Sequence, residues 1–332
     1  MKQSFNKRHG LTLIELLTAI VVIGLLLAVL LPAIQAVRES SRRFVCQNNL
    51  RQIGMATHTY HDAYHVFPPG FIGQNVDPND GKGWGWSVHL LPFLEQQSLA
   101  DRIAPKDRTL GQLVAGGNLE LLKTRLVIFR CPSDTSDRFC HATRELSGFS
   151  PSGPFAFTGT SPAATFGIKT STSNYVGSLG DCWNPSSRVW TFKQLCGNGA
   201  FGCNSRVGFE DIGDGTSYTF AVGERSWKNY AATWAGVDSW NQADTHGIQM
   251  VTGTAFFPMN DEPPSDPFDP NARGAAGFSS FHVGGCVFLM CDGQVRFIHQ
   301  GIESSHDPQS HGPGVYQRLA DRDDGMAMSD PF

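Results

Sequence analysis

Three histidines near position 60 have the spacing of a metal-binding set. His58, His61 and His65 follow one another at three and four residues, which places them on one face of an α-helix. Such a face can bind zinc or copper, and the letters H-D-x-x-H are similar to the zinc-protease motif H-E-x-x-H. Because the run meets a Pro-Pro pair and carries the shorter acid, we favour a polar helix end whose imidazoles cap backbone carbonyls.

A second histidine has an acid at a fixed distance along the chain. His282 is followed after nine residues by Asp292-Gly293, and Asp-Gly between two apolar runs predicts a tight hairpin. Across paired strands, the imidazole and the carboxylate can meet. A catalytic dyad also needs a nucleophile, and the sequence contains no G-x-S-x-G motif. We therefore favour a histidine that holds the hairpin in place, and we expect no catalytic residue.

Three acidic loops offer oxygen ligands for calcium. They are Asp77-x-Asn79-x-Gly81, residues 211–214 and residues 321–325. None has the EF-hand spacing, since glycine stands where the third acidic ligand belongs. Solvated turns are the favoured interpretation, so no cofactor is expected, with Ca²⁺ or Zn²⁺ as the alternatives left open.

The eight cysteines suggest disulfides if the chain is exported. The number of possible pairings is too large for the sequence to choose among them. The bridge that we expect is a local one, from Cys182 to Cys196 or Cys203.

Glu15 is the only charged residue between Leu11 and Leu31. An apolar helix of this length spans about 30 Å, the thickness of a bilayer's hydrocarbon core. A carboxylate inside such a span costs up to about 2.5–3.5 kcal/mol. A cleaved secretory signal would be shorter, and a plain signal anchor would leave the glutamate unexplained.

The basic leader that ends at Gly10, followed by L-T-L-I-E-L, resembles the type IV prepilin signal. In that family a dedicated peptidase cuts after the glycine and methylates the new amine. The resemblance makes Leu11 the first mature residue, where the family usually has Phe. It also makes Glu15 an assembly residue, because the freed amine of a neighbouring subunit would neutralise its carboxylate.

A long helix is predicted from Leu11 to about Tyr60. Residues 11–31 would span the membrane, and residues 32–66 form an amphipathic half that begins at Pro32. After the leader and this helix, residues 67–298 would form the extracytoplasmic domain and residues 299–332 a polar tail.

The domain reads as short helices followed by short strands. Leu126–Phe129, Val207–Ile212 and the two runs around Asp292-Gly293 predict strands. The apolar cluster around Trp84 and Trp86 predicts core packing against the long helix rather than a binding surface. The expected fold class is α+β, pilin-like, with a long membrane-spanning helix packed on an antiparallel β-rich domain.

Further motifs, in order along nearly the whole chain, resemble a large family of bacterial pilin-like proteins known as a domain of unknown function joined to a prepilin signal. The matching segments are Cys46-Gln47-Asn48-Asn49-Leu50, Phe67-Pro68-Pro69-Gly70, Arg130-Cys131-Pro132-Ser133-Asp134, Gly223-Glu224-Arg225 and the His282-x9-Asp292-Gly293 pattern. The net charge of −4 gives no argument for nucleic-acid binding.

These observations predict a structural subunit of a type IV pilus-like or secretion-related pseudopilus filament, such as that of type II secretion. Its partners would be the membrane, prepilin peptidase and other pilin-like subunits. It would cross the inner membrane once, with its bulk periplasmic or at the cell surface. The alternative is a monomeric, membrane-tethered binding or metal-dependent protein that uses the prepilin route only for export.

Overall fold

The computed structural model describes residues 12–73, 82–134, 143–146, 168–181, 197–229, 232–236, 250–261, 277–304 and 314–325. The predicted cleavage site at Gly10 and Leu11 and the acidic segment 77–81 lie outside these residues. So do Cys182 and Cys196.

Helix α1, Leu13–Tyr64, is 52 residues long. It begins at a capping box in which the Thr12 hydroxyl accepts from the Glu15 N–H and the Glu15 carboxylate accepts from the Thr12 N–H. It ends at His65, whose φ of 59° is left-handed. The helix runs one turn beyond the predicted end, and in that turn the tilted rings of Tyr60 and Tyr64 are in contact, with centroids 4.5 Å apart.

Short helices and 3₁₀ turns follow α1. The helices are α2 Trp86–Leu90, α3 Gln97–Ile103, α4 Leu110–Ala115, α5 Leu119–Leu122 and α6 Val315–Arg318; the 3₁₀ turns are Leu91–Leu94, Val127–Phe129, Phe209–Asp211, Thr216–Tyr218 and Trp227–Asn229.

Two predicted strands are wrong, because both segments contain 3₁₀ turns. In Leu126–Phe129 only the ends face inward, since Val127 is 73% exposed while Phe129 is buried. In Val207–Ile212 the carboxylate of Asp211 accepts the Gly208 N–H, a local bond that competes with strand pairing.

The main sheet has five strands in the order β6-β3-β4-β7-β8, antiparallel except for the β3–β6 pair. A second sheet has the order β1-β2-β5. The strands are β1 Thr143–Leu146, β2 Ile168–Ser173, β3 Tyr175–Gly180, β4 Phe220–Glu224, β5 Ala232–Thr233, β6 Thr252–Thr254, β7 Gly285–Met290 and β8 Val295–His299. The predicted hairpin at Asp292-Gly293 is confirmed, since it joins β7 to β8.

The second half of α1 packs on β7 and β8. A Cβ placed on Gly54 would lie 2.8 Å from Leu289 Cδ1, so glycine permits this close approach. Trp84 and Trp86 are buried in the same core, which confirms core packing for the aromatic cluster. The fold is a long N-terminal helix on a mostly antiparallel sheet, as expected for an α+β pilin-like chain.

Candidate functional site

The apolar start of α1 is one candidate site. Every residue from Leu13 to Leu31 is exposed, and the large apolar side chains among them are 52–82% exposed. This is the helix in the described residues whose length and composition suit a membrane span. Within it, Glu15 Oε2 accepts from the backbone N–H and the hydroxyl of Thr12, at 2.9 and 2.8 Å. The carboxylate of this subunit therefore already caps the helix.

The second candidate is a buried cluster on the inner half of α1, which we call the Cys-His-Glu cluster. It consists of Cys46, Cys131, Glu224 and His282, whose ligand atoms all lie within 4.8 Å of one another. The four side chains come from α1, the loop after Phe129, the end of β4 and the turn before β7. All four residues are at most 7% exposed, with His282 at 2% and Glu224 at 1%.

Backbone and side-chain hydrogen bonds hold the cluster in place. The Cys131 N–H donates to Asn174 Oδ1 at 3.0 Å, and the Asn49 amide of α1 donates to the Arg130 carbonyl. The Val287 N–H of β7 donates to Glu224 Oε2 at 2.8 Å. The cluster is thus fixed where the helix, the sheet and the loop meet.

His282 lies between two carboxylates. Its Nδ1 is 2.6 Å from Glu39 Oε1, and its Nε2 is 3.4 Å from Glu224 Oε1. Burial alone would lower the pKa of His282, but the hydrogen bonds to Cys131 and Glu224, with the charge of Glu224, raise it to about 11. Burial also raises the pKa of Glu39, yet bonds to His282 and Arg42 bring that pKa below its usual value. The imidazole is therefore charged at neutral pH, with Glu39 at hydrogen-bond distance from Nδ1 and Cys131 Sγ 3.5 Å from Nε2.

The acids that surround His282 differ from the one that the sequence suggested. Asp292 is not its partner: that carboxylate accepts the Gln294 N–H inside the hairpin turn, at the far end of β7. The imidazole–carboxylate meeting imagined across the two strands is therefore wrong, because His282 precedes β7 and Asp292 follows it. Its acids come instead from α1 and β4.

The three helix-end histidines have separate surroundings. His58 Nε2 lies 3.0 Å from the Cys291 carbonyl, and the ring of His61 packs on Phe209 with centroids 4.1 Å apart. His65 is the C-cap, and its N–H donates to the His61 carbonyl. In the part of the chain that the structure describes, they do not form a metal-binding group.

In the two described acidic loops, a carboxylate of the first loop binds backbone N–H groups of the second. Asp214 accepts the N–H groups of Asp324 and Gly325. Asp321 is buried, and burial followed by the charge of Asp181 raises its pKa to about 7. The calcium hypothesis for residues 77–81 falls outside the described residues, as do two members of the predicted Cys182, Cys196 and Cys203 set; Cys203 itself is buried.

Sequence reasoning missed most of the cluster. Cys46, Cys131 and Glu224 all stand in segments that carried the family resemblance, yet nothing in their spacing joins them, since Cys46 and Cys131 are 85 residues apart. Glu39 reads as an ordinary charged residue on an amphipathic face.

Models of two known families match this chain, one over its N-terminal segment and one over most of the rest. A model of the prokaryotic N-terminal methylation motif matches residues 5–31, and a model described as a protein of unknown function (DUF1559) matches residues 35–305. No curated protein and no solved structure matches the chain. The methylation motif implies a pilin-like chain that prepilin peptidase processes and that its N-terminal helix anchors in a membrane, with the domain on the extracytoplasmic side. Since the second match covers most of the sequence, the chain belongs to the DUF1559 family.

Proposed function

We propose that this chain is a structural subunit of a type IV pilus-like or pseudopilus filament, held in the inner membrane before assembly. Its bulk would lie in the periplasm or at the cell surface. The work of such a subunit is helix burial between copies or relatives, and the proposal assigns it no catalytic step.

One observation supports this most directly: the first half of α1 packs on no other part of the chain that the structure describes. Residues 13–31 are exposed throughout, and burying one large apolar side chain contributes about 2 kcal/mol. Lipid can bury this surface, and so can a bundle of neighbouring helices. Either environment supplies more than enough burial to hold the helix.

The apolar surface continues beyond the membrane half. Val37, Phe44 and Met55 are 69%, 57% and 64% exposed, although they stand on the part of α1 that carries the domain. Lipid alone would not require apolar residues this far along the helix. A neighbouring subunit would cover them.

Glu15 would set how far one subunit's helix is shifted along that of its neighbour. Its carboxylate caps its own helix, and cleavage after Gly10 would place a new positive amine within the same turn. In an apolar surrounding, a second amine from a neighbouring subunit would stabilise the charge further.

The buried cluster supports the alternative of a metal-dependent tethered protein, because it contains typical zinc ligands. All four of its residues are buried, so a substrate has no direct access to them. A structural role fits this enclosure better than a catalytic one.

Three substitutions test the proposal in native cells, with cross-linked oligomers in isolated membranes as the readout. Glu15→Gln removes the charge but retains an N3 cap acceptor, Glu15→Ala removes both, and Thr12→Ala removes the cap alone. We expect both Glu15 variants to lose the oligomers and Thr12→Ala to keep them. Oligomers of normal yield from Glu15→Gln would refute assembly through this charge and favour a tethered monomer.

A further inference from the structure

We propose that Cys46 and Cys131 form a disulfide that fastens α1 to the extracytoplasmic domain. Their Sγ atoms lie 2.6 Å apart, which is about 0.5 Å longer than a covalent S–S bond and well inside the contact distance of two unbonded sulfurs. Both residues are buried, at 0% and 5% exposure, so neither thiol has water as a partner.

Zinc bound by the same cluster is the competing interpretation. Tetrahedral zinc with Zn–S distances of about 2.3 Å holds two sulfurs about 3.8 Å apart. The two sulfurs here are more than an ångström closer than that. His282 Nδ1 also has Glu39 as a partner without a metal, while its Nε2 lies 3.5 Å from Cys131 Sγ and 3.4 Å from Glu224 Oε1. The geometry therefore favours a sulfur–sulfur bond beside a histidine–glutamate ion pair.

The extracytoplasmic compartment supplies the oxidant that disulfide formation requires. The two thiols lose two protons and two electrons as the S–S bond forms. The disulfide of an extracytoplasmic thiol oxidoreductase accepts them by thiol–disulfide exchange and becomes a dithiol. Because both cysteines are buried in the folded chain, the exchange precedes the closing of the domain over them.

The position of the bond gives it a mechanical role. Cys46 is the first fully buried residue of α1, where the free apolar half gives way to the packed half. The Asn49 amide, one turn further along α1, also ties the helix to this loop by donating to the Arg130 carbonyl at 3.0 Å. A covalent bond at this boundary transmits any pull on the membrane helix directly to the domain. It requires export but not filament assembly, so it can fail or succeed independently of the proposed function.

The bond can be read directly from the full-length protein. Cells are lysed directly in denaturant that contains a thiol alkylating agent, so that buried free thiols are also trapped, and the protein is digested without reductant. Mass spectrometry should show the Cys46 and Cys131 peptides joined, two hydrogens lighter than their sum. Two alkylated peptides would overturn the proposal, with one equivalent of zinc in the purified protein indicating the metal site and no zinc indicating free thiols.

Variants separate the bond from the cluster around it. Cys46→Ser, Cys131→Ser and the double variant should each lower the melting temperature by the same amount, roughly 10 °C. Addition of a reductant should bring the wild type to that value. His282→Gln should leave the joined peptides in place. Loss of the joined peptides with His282→Gln, or additive effects of the two serine substitutions, would contradict a disulfide.

Discussion

The two halves of α1 are one continuous helix in two different surroundings. From Leu13 to Leu31 the side chains are exposed and almost all apolar, whereas from Cys46 to Thr57 one face is fully buried by the domain. The second half is part of the folded core, and its residues stabilise the domain. The first half packs on none of the domain residues that the structure describes, and under the proposed function its apolar surface is covered by lipid or by other subunits.

Substitution of matched isoleucines should give the largest difference between the halves. Ile53 is 0% exposed and Ile23 is 55% exposed. We expect Ile53→Ala to lower the free energy of unfolding by about 2–5 kcal/mol, because it leaves a cavity. Ile23→Ala should stay within about 0.5 kcal/mol of the wild type. Denaturant unfolding of the detergent-solubilised protein measures both, and equal losses would show that the first half also packs on the domain.

A charge in the free half should affect the membrane and spare the domain. Leu26 is 62% exposed, and arginine near a span centre costs about 2.5–3.5 kcal/mol of insertion free energy. We expect Leu26→Arg to shift protein from the membrane fraction to the soluble or degraded pool, while its domain melts at the wild-type temperature. Leu26→Ile is the control and should fractionate normally. A normal membrane yield of Leu26→Arg would argue against burial of this face.

The buried ion pair between His282 and its two glutamates should make the free energy of unfolding of the domain depend on pH. Glu224, buried beside His282, holds the pKa of that imidazole above its unfolded value near 6.5, whether Cys131 is a free thiol or part of a disulfide. The contribution of the ion pair is therefore complete below pH 6.5 and is lost as the pH rises through the raised pKa.

We expect the free energy of unfolding to fall by about 1–3 kcal/mol more between pH 6 and pH 9 in the wild type than in His282→Gln. His299→Gln is the matched control, since His299 is exposed on β8, and it should behave like the wild type. Identical pH profiles for wild type and His282→Gln would refute a charged His282.

Two helix glycines should give the smallest difference. A Cβ on Gly54 meets Leu289 Cδ1 at 2.8 Å, whereas a Cβ on Gly24 has no neighbour within 4 Å among the described residues. We expect Gly54→Ala to destabilise the domain by about 1 kcal/mol, since the crowding is partly offset by the helix preference for alanine. Gly24→Ala should leave the domain's melting temperature unchanged. A stabilising Gly54→Ala would show that Leu289 moves aside freely.

The sequence predicted the parts that depend on contiguous residues. The apolar run, the long helix and the Asp292-Gly293 hairpin each show their pattern within a single segment, so periodicity and turn chemistry were enough. The segments around Val127 and Phe209 were mistaken for strands, because short apolar runs do not separate a strand from a turn with one buried anchor.

The buried cluster was beyond local reasoning. It depends on the docking of α1 against β7 and β8, which brings Glu39 to His282 across 243 residues. The sequence paired His282 with Asp292, whereas the structure places Glu39 beside it, since nothing in a spacing of nine residues reveals which end of the strand faces the helix.

Site-specific photo-cross-linking from position 26 in native cells tests the account most directly, because that side chain lies in the middle of the free half. The account predicts adducts between this chain and a second copy or another pilin-like chain, identified by mass spectrometry. The same probe at buried position 53 should give no adduct with a second chain. Adducts with lipid alone at position 26, in cells that express the protein normally, would contradict it.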